Sequence, residues 1–260
     1  MREAWRLSAG TFLAIPVRPP GRVDHTIAGF AMTLAPVTAL PAALVWVGLG
    51  LGVRAGWLTA LLAAALGVGT TVLLNRALHL DGLADLADGL GSGPDRDRAL
   101  DVMKRGDIGP AGVTAVVLVL LVQAAALASL MDSGPGIALA AIALVASRLA
   151  PPIACRRGVP SARPGGLGAT VAGSVRPMPL AIAVLGVGVA GTLALGLGGH
   201  LPYAAGLVAG VAILAAWSVT SHAVRRLGGV TGDVIGAAIE VSLAAALVAA
   251  SVVAASLATR

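Results

Sequence analysis

GPAGVTAVVLVLLVQAAALASLM, residues Gly109–Met131, runs for 23 positions without an Asp, Glu, Lys, Arg or His. At about 1.5 Å of rise per residue, a helix of that length covers the roughly 30 Å hydrocarbon layer of a bilayer. The run shows none of the inward–outward alternation of a barrel strand, and lipid offers a bare backbone no hydrogen-bond partner. It therefore reads as a membrane-spanning helix. The whole chain agrees: 260 residues, 57% hydrophobic, 12% charged and 3% aromatic, with mean hydropathy +0.92. The fold class expected is all-α, a polytopic integral membrane helical bundle forming one domain over residues 1–260.

Seven stretches are long enough to cross: Gly29–Val53, Gly56–Leu78, Gly109–Met131, Gly136–Cys155, Met178–Gly198, Leu201–Ser221 and Val234–Ala258. Pro36, Pro41, Pro151 and Pro152 fall inside or near the ends of these spans, where a helix must break or neighbours must satisfy the freed carbonyls. At Pro151-Pro152 the fourth span either crosses fully or bends back. With the amino terminus in the cytoplasm, 15 of the 18 basic residues lie on that side, the exceptions being Arg54, Arg148 and Arg260. The opposite loops, near Asp132–Pro135 and Gly199–His200, carry no Lys or Arg, as the positive-inside rule requires. The localisation expected is the cytoplasmic membrane of a bacterium or archaeon, with loops His79–Ile108, Arg156–Pro177 and His222–Gly232 facing the cytoplasm.

Residues 1–28 mix Arg2, Glu3 and Arg6 with apolar side chains and then meet Pro16, Pro19 and Pro20, so they read as an amphipathic interfacial segment and not a signal peptide. Cys155 is the single cysteine, which excludes an intrachain disulfide and any cysteine-based zinc or iron–sulfur site. The sequence pI near 11.2 is explained by topology and attraction to anionic lipid, so membrane lipid is an expected partner and nucleic acid is not. Glycine patterns such as Gly186-x-Gly188-x-x-Gly191 suit close helix packing, since no βαβ unit surrounds them.

The chemistry concentrates in His79-Leu-Asp81-Gly-Leu-Ala-Asp85-Leu-Ala-Asp88-Gly, the start of the acidic motif loop 79–108. On a helix Asp85 lies about 40° and Asp88 about 20° from Asp81, so three carboxylates share one face. Such a face needs a cation, and hard oxygen ligands suit Mg²⁺, which completes its shell with water and substrate phosphates. A second acidic pair, Asp233 and Glu240, stands seven residues apart on one face of the last span. Ionised carboxylates at that depth cost a few kcal/mol each unless compensated, roughly as insertion scales measure, so the two sets point to one shared cavity. Candidate anion binders surround it: Lys104 and Arg105 in Met103–Gly109, Arg148 after Ser147, and Arg163 in the glycine-rich Ala162–Gly168. His79 either serves the metal or Asp81, or hydrogen-bonds backbone, and Asp233 is also placed to cap the last helix.

These strings resemble the cobalamin synthase family, the adenosylcobinamide-GDP ribazoletransferases. The resemblance rests on His79–Gly89, on Met-Lys-x-x-x-x-Gly-x-x-Gly at Met103–Gly112, on Ala-Arg-Pro-Gly-Gly-Leu-Gly at Ala162–Gly168, and on Gly-Gly-x-Thr-Gly-Asp-x-x-Gly-Ala at Gly228–Ala237. Phe12–Val17 resembles the family's start, and one departure is that no acidic residue follows Glu240. The resemblance implies Mg²⁺-dependent joining of adenosylcobinamide-GDP to α-ribazole or its 5′-phosphate with release of GMP. It further implies Asp81, Asp85, Asp88, Asp233 and Glu240 as metal ligands, with His79 in the catalytic group and one carboxylate as general base. Lys104, Arg105, Arg148, Arg163, Gly229 and Thr231 would bind substrate. Beyond small molecules and lipid, a homo-oligomer or association with other corrinoid-pathway enzymes stays open.

Three rivals are weighed. The membrane phosphotransferases acting on CDP-alcohols use an Asp-Gly-x-x-Ala-Arg element, whereas here Ala84 comes one position early and Asp85 follows it. Prenyltransferases with aspartate-rich motifs bind Mg²⁺-diphosphate by similar logic, with a worse motif match. An ion-coupled transporter could use Asp233 and Glu240, yet no inverted repeat is evident.

Overall fold

The structure, a computed structural model, describes residues 1–197 and 203–258. The described residues form helices and no strand, apart from two isolated bridges, Arg156 with Val175 and Ser161 with Val230. The amino-terminal part comprises α1 (Arg2–Phe12), α2 (His25–Thr33), α3 (Ala35–Thr38), α4 (Leu40–Arg54) and α5 (Ala60–Leu74). Next come α6 (Leu78–Gly91), α7 (Arg96–Val102), α8 (Pro110–Ala128), α9 (Gly134–Ser147), α10 (Ala150–Ala154) and α11 (Gly166–Val171). The chain ends with α12 (Pro177–Leu197), α13 (Tyr203–Leu227) and α14 (Gly232–Ala258).

Among the described residues, five helical segments are long and apolar enough to cross a membrane: α8, the α9–α10 stack over Gly134–Ala154, α12, α13 and α14. A sixth arises only if α5 and α6, bent by 87° at their junction, are taken as one broken span. The seven expected spans are thus reduced, and the prolines explain the first of the differences. Pro36 and Pro41 occupy the first turns of α3 and α4, where a missing N–H is harmless, so Gly29–Val53 breaks into three helices and leaves α4 with 15 residues. The second expected span shortens because Arg76 and Ala77 both adopt φ of 57°, a left-handed elbow that ends α5 and turns the chain into α6. The fourth stays straight enough to qualify, with Pro151 at the start of α10. Gly198, the start of Leu201–Ser221 and the loop Gly199–His200 lie outside the described residues.

Side-chain caps set several helix starts. Asp24 accepts from the Ile27 N–H at 2.8 Å, Asp95 from Arg98 at 2.7 Å and Ser133 from Gly136 at 3.1 Å. The long helix α14 is central, packing on α6, α8, α9, α10 and α13 through Ile239, Leu243, Ala246, Leu247 and Ala250. Small residues on these faces let backbones approach, which is how helices associate where lipid removes the usual hydrophobic drive. Leu118, Leu185, Leu214 and Val252 point outward, as lipid-facing side chains do. The segment expected at the interface begins as α1, whose Ala4, Ser8 and Phe12 are buried, with α1 packing on α2 and α3.

Candidate active site

Two glycines bring the acidic helix onto the last span. A Cβ on Gly82 would lie 2.7 Å from the Asp233 carbonyl oxygen, and one on Gly236 would lie 3.1 Å from the His79 Cα. With hydrogen in both places, α6 and α14 cross at backbone contact, and the aspartate face of α6 meets the start of α14. Asp81 is exposed while Asp85 and Asp88 are half-buried. Helix α6 lies outside the five spanning helices, and there burial pushes the Asp85 carboxyl up to about 6, with the charges of Asp233, Asp81 and Asp88 adding and Arg163 opposing. Asp85 therefore stands in the field of the other three acids, on the helix face that the spacing predicts.

Asp88 has a second task. Its Oδ2 accepts the Gly109 N–H at 2.7 Å and its Oδ1 the Gly112 N–H at 2.9 Å, so the carboxylate caps α8 from a neighbouring helix. A Cβ on either glycine would run into that carboxylate. The glycines of the Met103–Gly112 element thus make room for Asp88.

Arg163 reaches the same site from the 156–177 loop. Pro160–Ala162 pairs with Val230 through Val230 N–H to Pro160 O at 2.9 Å and Ala162 N–H to Val230 O at 3.0 Å. Gly229 and Gly168 allow this: a Cβ on Gly229 would lie 2.5 Å from Pro160 O, and one on Gly168 2.7 Å from the Thr231 Cα. Arg163 Nη2 then donates to Asp233 Oδ2 at 3.4 Å, and the Thr231 hydroxyl donates to the same oxygen at 3.1 Å. Thr231 Oγ1 also accepts from the Val234 N–H at 3.3 Å, so Thr231 caps α14 and leaves the Asp233 side chain facing the site. The other guanidinium nitrogen of Arg163, Nη1, is buried without a partner.

The sequence reading gave Arg96 no role beyond topology. Its Nε donates to Leu227 O at 2.8 Å and its Nη2 to Ala162 O at 2.7 Å, fastening the two glycine-rich segments together. Arg226 donates to Gly93 O at 2.7 Å and so ties the turn after α6 to α13. The three basic loops expected on one side of the membrane are thereby joined.

Glu240 and His79 lie elsewhere in the seam, two turns or about 10 Å along α14 from Asp233. Both are buried, at 2% and 4% exposure. Gln123 Nε2 donates to Glu240 Oε2 at 2.7 Å, His79 Nδ1 stands 3.5 Å from Oε1, and Asn75 Nδ2 is 3.2 Å from that same Nδ1. Arg148, buried just past the end of α9 and donating to Ser147 Oγ at 2.9 Å, supplies the opposite charge to Glu240. This set compensates charge inside the bundle. Gln123 and Asn75 went unnoticed in the sequence because a lone amide in an apolar run shows no pattern.

Lys104 and Arg105 are exposed in the turn after α7. Arg105 lines a cleft of about 370 Å³ with Asp88, Asp107 and Gly109, so a cation faces the carboxylate that caps α8. Among the described residues, no group of three or more His, Cys, Asp or Glu is gathered closely enough to hold a metal ion by itself.

A family model described as Cobalamin-5-phosphate synthase matches residues 4–251. A relative from Nocardioides sp. is 47% identical over 247 residues, covering 95% of this chain and 97% of its own. One from Frankia casuarinae is 39% identical over 267 residues, with 92% and 91% covered. One from Pseudomonas aeruginosa PAO1 is 42% identical over 190 residues, with 72% and 73% covered. All three are described as adenosylcobinamide-GDP ribazoletransferases. No solved structure matches the chain. With aspartate face, glycine contacts and loop arginine all falling inside residues 4–251, the chain belongs to the cobalamin synthase family.

Proposed function

We propose that the chain is a membrane-embedded, Mg²⁺-dependent adenosylcobinamide-GDP ribazoletransferase. It would join the cobinamide phosphate group to α-ribazole or its 5′-phosphate and release GMP, closing the nucleotide loop of cobalamin. The observation that carries the reading is the α6–α14 crossing, where Gly82 touches the Asp233 backbone, Arg163 donates to Asp233, and Asp85 stands in the field of Asp233 and Asp81. Separate carboxylates with one arginine suit Mg²⁺, which takes one or two protein carboxylates and leaves its other positions to water and substrate phosphate. One or two of Asp81, Asp85 and Asp233 would hold the ion. Bound there, Mg²⁺ would neutralise charge on the diphosphate under attack.

The chain's own groups account for the remaining roles. Arg163, with Nη2 on Asp233 and a buried Nη1 left unpartnered, is the cation that would bind a phosphate oxygen here. Arg105 and Lys104 border the neighbouring cleft, where a second phosphate or the leaving nucleotide would sit. A carboxylate of the set that is not ligating would take the proton from the attacking ribose hydroxyl. The cytoplasmic orientation of this face rests on the basic loops gathered there.

The decisive experiment measures GMP release from adenosylcobinamide-GDP and α-ribazole 5′-phosphate by protein in nanodiscs. It compares Mg²⁺ with chelator, and wild type with Asp85→Asn. Release that needs Mg²⁺ and is lost in the variant is expected. Release that survives chelation would remove the metal from the reading, and no release at all would remove the reaction.

A further inference from the structure

A second cationic cleft of about 320 Å³ opens between α2 and the turn that precedes α12, lined by His25, Arg157, Ser174 and Arg176. Its walls are tied together through the backbone. The Arg156–Val175 bridge, with Arg157 N–H to Val175 O at 2.8 Å and Val175 N–H to Cys155 O at 2.9 Å, sets Arg157 beside Arg176. Gly29 of α2 abuts the Ser174 carbonyl so closely that a Cβ would overlap it. One turn earlier, His25 Nε2 lies 3.3 Å from Ala172 O, which pins the start of α2 to the same turn.

The arginines of this cleft differ from their neighbours. Arg156 donates to Ile153 O at 2.8 Å and stacks 3.8 Å over the Trp217 ring, while Arg96, Arg163 and Arg226 all have protein acceptors. Among the described residues, the guanidinium groups of Arg157 and Arg176 have neither a hydrogen bond nor an ion pair. Asp24, which precedes His25 of the cleft, is spent on capping α2 and on Arg22 at 3.9 Å.

The cleft continues into a small apolar groove of about 30 Å³ that shares Ser174 and Arg176 with it and is bordered by Phe30 and Pro179. Pro179 belongs to the first turn of α12, a membrane span, and Phe30 is 39% exposed. A place for an anion thus adjoins an exposed apolar surface, Phe30 and Pro179, at the mouth of a span.

We propose that this cleft binds one anionic phospholipid from the leaflet on the aspartate side, its phosphate forked by Arg157 and Arg176 and its chain lying past Phe30 and Pro179. Guanidinium pairs match phosphate oxygens, and basic pockets between spans select anionic headgroups. A soluble phosphate compound offers the same head without the tail. The exposed apolar surface beside a membrane span argues for lipid.

The test is native mass spectrometry of the full chain, stripped of lipid in detergent and titrated with phosphatidylglycerol, with phosphatidylcholine of the same chains, or with inorganic phosphate. The samples are wild type, the double variant Arg157→Gln/Arg176→Gln, and Arg22→Gln as a cation outside the cleft. Wild type and Arg22→Gln are expected to retain one phosphatidylglycerol, and the double variant to retain it about 30-fold less, as two cations at an anionic lipid predict. Equal retention of both lipids by wild type, or of phosphatidylglycerol by all three proteins, overturns the proposal. Displacement of the lipid by inorganic phosphate overturns it too, in favour of a soluble ligand. Should the double variant not insert, each single substitution is read the same way, and the wild-type competition decides without any variant.

Discussion

Gly82 of α6 and Asp233 of α14 meet backbone to backbone, with room between them for a hydrogen and nothing larger: a Cβ on Gly82 would lie 2.8 Å from the Asp233 Cα. This contact fixes how far Asp81 and Asp85, which flank Gly82, stand from Asp233. Gly82→Ala must push α6 off α14, and overpacking of this kind costs about 1–3 kcal/mol. The expected result is a protein that still inserts and elutes as wild type but has lost most of its GMP release. Unchanged activity in Gly82→Ala would show that the seam does not set the site.

Asp88 and α8 give a contrasting case, in which the acid of a metal-like motif works on the backbone. Asp88→Ala removes the acceptor of two N–H groups, of Gly109 and Gly112, and should destabilise by about 1–2 kcal/mol, as loss of a helix cap does. Asp88→Asn keeps one acceptor and should fall between. The thermal transitions of the two variants check this, and equal transitions for Asn and Ala would contradict capping as the main role.

Much of this was legible in the sequence, and the reason is periodicity. The spacing of Asp81, Asp85 and Asp88 encodes a shared helical face, and the apolar runs at Gly109–Met131 and Val234–Ala258 encode length, so both survive into the structure as α6, α8 and α14. The seam of Gly82 and Gly236 was hidden, because a glycine in a membrane helix is common and only its neighbour reveals why it is there. Arg96 was hidden for a related reason: its acceptors, Leu227 O and Ala162 O, are carbonyls, which every residue has. The elbow at Arg76 and Ala77 could not be anticipated either, since neither residue favours a positive φ. It is held from outside, by Arg76 donating to Gly10 O at 2.9 Å and by Asn75 on His79.

The buried amide on α8 is the next point of leverage. Gln123→Leu leaves Glu240 without its 2.7 Å donor, and a hydrogen bond to a charged group is worth about 1.5–3 kcal/mol. Glu240→Gln removes the charge that needs the donor, so adding it to Gln123→Leu should cost less than the sum of the single changes. A double-mutant cycle on thermal stability in one detergent measures the coupling, and strict additivity would mean that the pair is not a unit.

The pH dependence of metal binding tests the aspartate face directly. Folded Asp85 keeps its proton up to about pH 6, whereas an ordinary aspartate loses it near 3.8. Between these values the folded protein holds more protons than the unfolded chain, so the metal-free protein loses stability as pH rises through the window. The cause is burial together with the crowding of Asp233, Asp81 and Asp88, and a bound cation relieves the crowding. Mg²⁺ should therefore raise the Tm little at pH 5 and clearly at pH 7.5, and Asp85→Asn should flatten both the metal-free pH slope and the metal response. Thermal scans at the two pH values, with Mg²⁺ or chelator, make the comparison. A Mg²⁺ shift that is the same at both, or that persists in Asp85→Asn, would place the ion away from α6.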